Sequence, residues 1–205
     1  QHYTEYDLPQ YMHVPGNFQD WNMANAPHIV NTNNDGVYEG YINFTNAYPQ
    51  FLMVKDVAWN PLHTYYYIGN NKFGFNGTMF SIFGGAGVYQ LKANTNTNTW
   101  TYNKINAWGI HGTAVKGNFA NDPAMVYDEA AMTWTINTEL TAGNFRIRAN
   151  NNDAISFGKT MVDGYILPDY KGADFIITNP GTYKIVLNLK LAGNYTCTVV
   201  RNAAN

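Results

Sequence analysis

Val37-Tyr38-Glu39-Gly40-Tyr41-Ile42-Asn43-Phe44 follows directly on Asp35-Gly36. The eight residues carry the period-2 patterning of a half-buried strand, and the Asp-Gly pair before them is a turn signal. Phe51 to Val54, Gly87 to Lys92 and Trp100 to Tyr102 read the same way, separated by Gly-Gly and Asn-rich clusters. No stretch keeps a helical period for the length a helix needs. The chain is therefore expected to be all-β. Asn70 to Ala86 is rich in Gly with interleaved Phe, shows no clear strand, and is expected to be a surface loop.

Working outward from that strand, the second half of the chain repeats the first. Ala26-Pro27-His28-Ile29-Val30 has its counterpart in Asp122-Pro123-Ala124-Met125-Val126, about 96 positions on. Val37-Tyr38-Glu39-Gly40 matches Thr133-Trp134-Thr135-Ile136, and Phe51-Leu52-Met53-Val54 matches Phe145-Arg146-Ile147-Arg148. Gly87-Val88-Tyr89-Gln90-Leu91 matches Gly181-Thr182-Tyr183-Lys184-Ile185. A period near 95 is too long for a solenoid repeat and is the size of one β-sandwich. The expected architecture is two tandem antiparallel β-sandwiches of the immunoglobulin-like or carbohydrate-binding-module kind, 1–103 and 104–205. No Pro- or Ser-rich linker marks the joint, so the two are expected to abut and to move little.

Composition narrows the function. Of 205 residues 45% are hydrophobic and 13% charged, with a net charge of −2 and no cluster of Lys or Arg. A nucleic acid or an anionic membrane needs concentrated positive charge, which is missing. The 16 Tyr, 11 Phe and 5 Trp exceed what a core of this size uses, and Asn is abundant. Aromatic faces with amides suit neutral polyhydroxylated ligands, although strands and turns also favour Tyr and Asn. The single cysteine, Cys197, excludes an internal disulfide and is expected to be a buried small hydrophobe. The chain begins with Gln1 and shows no signal peptide or apolar run of membrane-spanning length, so a mature or trimmed fragment is expected.

Two tryptophans end polar loops: Trp21 in Pro15-Gly16-Asn17-Phe18-Gln19-Asp20-Trp21, and Trp59 in Lys55-Asp56-Val57-Ala58-Trp59. A pyranose packs its C–H face on an aromatic ring, and one Lys with an amide can span vicinal hydroxyls. Trp21, Lys55 and Trp59 are therefore the candidate glycan contacts of the first half, the two indoles expected to pair as a curved cradle for a helical glucan. The competing reading makes both indoles inter-sheet core residues. Trp100 and Trp134 lie within alternating strands and are expected in the core. Trp108 fits either role, and Tyr65-Tyr66-Tyr67 could wall a site or cover a sheet edge.

Several of these stretches resemble one family. Val14 to Trp21, Asp35 to Gly40, Trp108-Gly109-Ile110-His111-Gly112, Leu140-Thr141-Ala142-Gly143, Phe145 to Asn150 and Gly181-Thr182-Tyr183 are similar to the SusE/SusF group. These are starch-binding outer-membrane lipoproteins of Bacteroidetes, and the resemblance runs over nearly the whole chain from Tyr11. It implies non-catalytic binding of α-glucan at the cell surface, beside an outer-membrane glycan transporter and an amylase. On this resemblance the chain is expected to be the tandem binding modules alone, without the family's lipidated end and most of its first domain. By position it implies sugar contacts from Trp21, Lys55 and Trp59, and from Phe119, Arg148 and Asn150 in the second half. Two departures are visible there: Phe119 stands where the family has a loop Trp, and Asn151-Asn152-Asp153 where a Trp follows Arg-Ala-Asn. Whether that half binds weakly, binds another glycan or does not bind is left open by sequence.

The sequence carries no signature of other chemistry. The fourteen acidic residues are scattered, and no two are singled out as the carboxylate pair of a glycosidase. His2, His13, His28, His63 and His111 show no metal-ligand spacing. Asn31-x-Asn33-x-Asp35-Gly36 echoes a calcium loop, but Ile42 stands where the bidentate Glu belongs. No phosphate loop or nucleophile elbow is present, and no cofactor is expected. The alternative to glycan binding is a structural or adhesion module whose surface meets another protein.

Overall fold

The computed structural model describes residues 10–117, 121–162 and 165–203, without the side chains between 161 and 168. Among the described residues there is no α-helix; regular structure is β, with three short 3-10 turns in loops. The chain falls into two compact units, Gln1–Lys104 with Leu191–Gly193, and Ile105–Lys190 with Asn194–Asn205.

The first unit contains β1 (Tyr11–His13), β2 (His28–Val30), β3 (Val37–Phe44), β4 (Gln50–Phe51) and β5 (Met53–Val54), then β6 (Thr64–Gly69), β7 (Lys72–Gly74), β8 (Phe80–Ser81), β9 (Gly87–Asn94) and β10 (Thr99–Ile105). Alternation along β3 sends Tyr38, Ile42 and Phe44 inward, where they join Phe51, Phe80 and Trp100 in one aromatic core. Phe51 and Phe80, paired across β4 and β8, stack with centroids 5.1 Å apart, and Trp100 meets Phe80 edge-on at 4.9 Å.

The second unit contains β11 (Trp108–His111), β12 (Val126–Asp128), β13 (Thr133–Leu140), β14 (Gly143–Ala149) and β15 (Ser156–Val162), then β16 (Tyr165–Asp169), β17 (Phe175–Ile177), β18 (Gly181–Asn188) and β19 (Thr196–Arg201). They form two antiparallel sheets, β11-β14-β15-β16 with β17 also on β14, and β12-β13-β18-β19. Trp108 of one sheet approaches Trp134 of the other at 6.4 Å between centroids.

The repeated sequence blocks fall on equivalent ladders. Across β3 and β9 Val37 opposes Asn94 and Phe44 opposes Gly87; across β13 and β18 Thr133 opposes Asn188 and Leu140 opposes Gly181. The stacked Phe51–Phe80 pair recurs as Phe145–Phe175, 4.9 Å apart across β14 and β17. Tyr89 donates its hydroxyl to the carbonyl of Gly85, and Tyr183 donates to that of Asn179, each reaching back four residues. Gly87 and Gly181 open these strands at φ +146° and +159°, in space shared with Lys104 and Arg201. Those two cations donate to the loop carbonyls of Gly84 and Pro180.

Two sequence expectations need revision, and one open reading closes. The main strands of the first unit close into a barrel, β1-β2-β3-β9-β10-β7-β6-β5, rather than staying as two separate sheets. Closure arises because β1 bonds to both β2 and β5, while Thr99 at the start of β10 pairs with Lys72 of β7. In the second unit the matching seam is a single bridge, Gly109 to Ala124. Asn70 to Ala86 is not a plain loop: it holds β7 and β8, and Phe73, Phe80 and Ile82 are buried. Its short strands, interrupted by Gly, hide the alternation that longer ones display. Trp108 is fully buried, which settles its role as core, alongside Trp100 and Trp134.

Candidate functional site

The loop between β5 and β6 is built as a rigid presenter. Asn60 caps a 3-10 turn, its side-chain oxygen accepting from the backbone N–H of Leu62, with Pro61 at the first position. The Asn60 carbonyl accepts from both the His63 N–H and the Thr64 hydroxyl, at 3.0 and 2.7 Å. Lys55 N–H donates to the His63 carbonyl at 2.9 Å, closing the base of the loop. Asp56 accepts from the Asn60 amide at 2.9 Å and pairs with His63 Nδ1. These donors, His63 foremost, hold the Asp56 carboxyl below its usual range.

What this loop presents is a cation and an indole. Trp59 is 47% exposed, so the core reading does not apply to it. The Lys55 ammonium lies 4.9 Å from the Tyr65 ring centre and 5.3 Å from that of Phe75. Tyr65 is buried and rests on Phe73 beneath, whereas Phe75 is half exposed. Partial burial lowers the Lys55 pKa, with Asp56 pulling the other way. Among the described residues the ammonium has two aromatic faces and no hydrogen-bond acceptor. Its donor capacity is unspent.

Strand register decides what shares this end of the unit. Tyr11 opposes Val30 and His13 opposes Val54, so β2 and β5 both run out where β1 begins. Loop 31–36 therefore leaves from the same end as loop 55–63. The turn at 95–98 is tied to it, Thr95 N–H and Asn96 Nδ2 donating to the carbonyls of Gly36 and Asp35. Exposed Asn33, Asn34, Asn96 and Asn98 thus rim the end that carries Lys55 and Trp59. Beneath them the Tyr38 phenol, bonded to Asn31, is pushed up to about 12 by burial.

Trp21 belongs elsewhere. Its N–H donates to the Gly16 carbonyl at 2.9 Å, and Gly16 bridges Phe51, past the far end of the His13–Val54 pair. Antiparallel pairing thus sends the loops of Trp21 and Trp59 off opposite ends of β1 and β5. The Trp21 ring is partly exposed, on a loop tied down by Asn17, which bonds Tyr48 and Gln50. A single aromatic cradle made of both indoles is not what the register builds.

In the second unit, Arg148 and Asn150 are committed to the protein itself. Arg148 grips Asp122 through Nε and Nη2 and reaches Asp153 at 3.2 Å through Nη1. The Arg148 and Asp122 side chains are 13% and 5% exposed, and the Asp122 contact raises the guanidinium pKa. Asn150 Oδ1 accepts from the backbone N–H groups of Asn106 and Ala107, at 2.8 and 3.3 Å. No spacing in sequence announces these partners: Asp122 lies 26 residues from Arg148 and Asn106 lies 44 from Asn150. Phe119 lies outside the described residues. The surface contributions of Phe75 and the 95–98 turn escaped sequence reasoning, because only pairing across β6–β7 and β3–β9 brings them to the rim.

The chain matches no protein-family model and no curated protein sequence.

Proposed function

We propose that this chain is a non-catalytic glycan-binding protein of two antiparallel β-modules, the first of which, the closed barrel, holds the polysaccharide. The observation that carries this is the Lys55 ammonium, seated over the neighbouring Tyr65 and Phe75 rings with no acceptor among the described residues, four residues from a half-exposed Trp59. A sugar hydroxyl offers the missing acceptor, and its C–H face suits Phe75 or the indole. The amide rim adds donors and acceptors of neutral character. The back-reaching hydroxyls of Tyr89 and Tyr183 support the kinship of the two modules, and tyrosine corners of this kind recur in immunoglobulin-like folds.

A starch-like α-glucan is the favoured ligand, and an outer-membrane glycan transporter the favoured neighbour, with the protein anchored as a lipoprotein on the outer face of that membrane. All three rest on the resemblance to SusE/SusF proteins. Trp21 supplies a separate contact, at the other end of the first unit. Arg148 and Asn150 serve the architecture of the second unit, whose share in binding is secondary.

Affinity electrophoresis in gels cast with amylopectin tests this. The wild-type chain is retarded, and Trp59→Ala with Lys55→Met removes most of the retardation while the fold survives. Lys55→Met keeps the aliphatic stem and removes only the charge and donors. Unretarded migration in amylopectin and in a panel of other polysaccharides would favour the adhesion alternative, and release of reducing sugar would overturn the non-catalytic reading.

A further inference from the structure

His13 and His28 are fifteen residues apart, and nothing in that spacing suggests a chelate. The β1–β2 ladder sets them directly opposite one another. Paired residues of an antiparallel ladder point to the same face, so the two imidazoles stand side by side. Their ring centres are 6.0 Å apart, with planes inclined at 62°.

We infer that His13 and His28 form a binding site for a divalent transition-metal ion, with two imidazole ligands from the protein and water completing the coordination.

Geometry admits the ion. With a metal–nitrogen bond of about 2.1 Å, the ion lies roughly 3.2 Å from the centre of each ring. Two rings on one tetrahedral ion then have centres roughly 5.2 Å apart, so closing from the observed separation takes less than about 1 Å of side-chain movement. Chemistry favours it as well. Metal ligation needs an imidazole nitrogen whose lone pair is free. His13 Nδ1 is buried and has no hydrogen-bond partner among the described residues, so no protein group competes for that nitrogen. The Tyr11 ring meets His28 edge-on at 5.0 Å and limits its rotation. No third His, Cys, Asp or Glu joins them among the described residues. A two-imidazole set suits Cu²⁺ most and Zn²⁺ next, and gives weaker binding than a closed four-ligand structural site. The ion would staple β1 to β2, the strands through which the barrel of the first unit closes.

The test is titration of the full chain with CuSO₄ and with ZnCl₂, followed by thermal unfolding and, for copper, electron paramagnetic resonance. Micromolar Cu²⁺ is expected to give a spectrum with two nitrogen ligands. At a hundredfold excess over its dissociation constant it should raise the melting temperature of the first unit by about 10 °C. His13→Gln and His28→Gln each remove both effects, whereas His63→Gln and His111→Gln leave them. A second readout needs no variant: bound Zn²⁺ protects His13 and His28 from diethyl pyrocarbonate, read by peptide mass spectrometry. Binding no tighter than millimolar, a copper spectrum that survives both His variants, or modification unchanged by zinc would overturn the assignment.

Discussion

Replacing Arg148 by Ala separates a sugar-contacting guanidinium from an architectural one. Arg148 makes two bonds to Asp122, whose side chain is 5% exposed, and one to Asp153, which is 78% exposed. The Asp153 contact is solvent-screened and contributes at most about 1 kcal/mol. The Asp122 contact is different, because removing the arginine leaves a buried carboxylate without its cation; breaking such a pair costs about 3–5 kcal/mol. His111 Nδ1, 3.0 Å from Asp122, remains as a partner for that carboxylate and recovers part of the loss. A loss of about 3 kcal/mol is therefore expected, lowering the melting temperature of a unit of this size by roughly 12–20 °C. Urea unfolding of Arg148→Ala, Asp122→Ala and the double variant forms a cycle, in which the double variant should cost less than the sum of the singles. Amylopectin retardation of the Arg148→Ala chain should persist at temperatures where it is folded. A stability change under about 0.5 kcal/mol, or lost retardation in a fully folded variant, would refute the reasoning.

Three further outcomes follow from particular groups. Tyr89→Phe and Tyr183→Phe each delete one equivalent hydrogen bond, so each should cost about 1 kcal/mol in its own unit by denaturant unfolding, and unequal losses would count against the equivalence of the two corners. Burial pushes the Cys197 thiol up to about 12, so the native chain should resist a thiol reagent at pH 8 and react once unfolded; prompt native labelling would contradict this. The Asp56 carboxyl is held below its ordinary value mainly by His63 and Asn60, so its stabilising share is present above the unfolded pKa of about 3.9 and lost as pH falls through the folded value. Comparing wild type with Asp56→Asn from about pH 6 to pH 2 should show a stability gap that is flat at the top and closes at the acid end.

Local patterning determined the class of this fold. Period-2 alternation from Val37 to Phe44 requires a strand with one buried face, and the burial of Tyr38, Ile42 and Phe44 is that requirement realised. The same argument places Trp100 and Trp134 inside, because each sits on the inward step of an alternating strand. The matched blocks fell on matched ladders because the inward-facing residues of a strand also fix its register. Asn70 to Ala86 defeated this reading, since two- and three-residue strands give too few steps for a period to show.

The candidate site is a different matter. Trp59 and Lys55 were legible as a loop indole and a cation, but alternation says nothing about which loops leave the same end of a barrel. Pairing of β1 with both β2 and β5 decided that Trp59 shares its end with the Asn-rich turns while Trp21 does not. Hydrogen-bond partners are equally non-local: Asp122 claims Arg148 from 26 residues away, and two backbone amides claim Asn150. Whether a polar group is spent within the protein or left for a ligand depends on its neighbours in space, and only tertiary structure selects those.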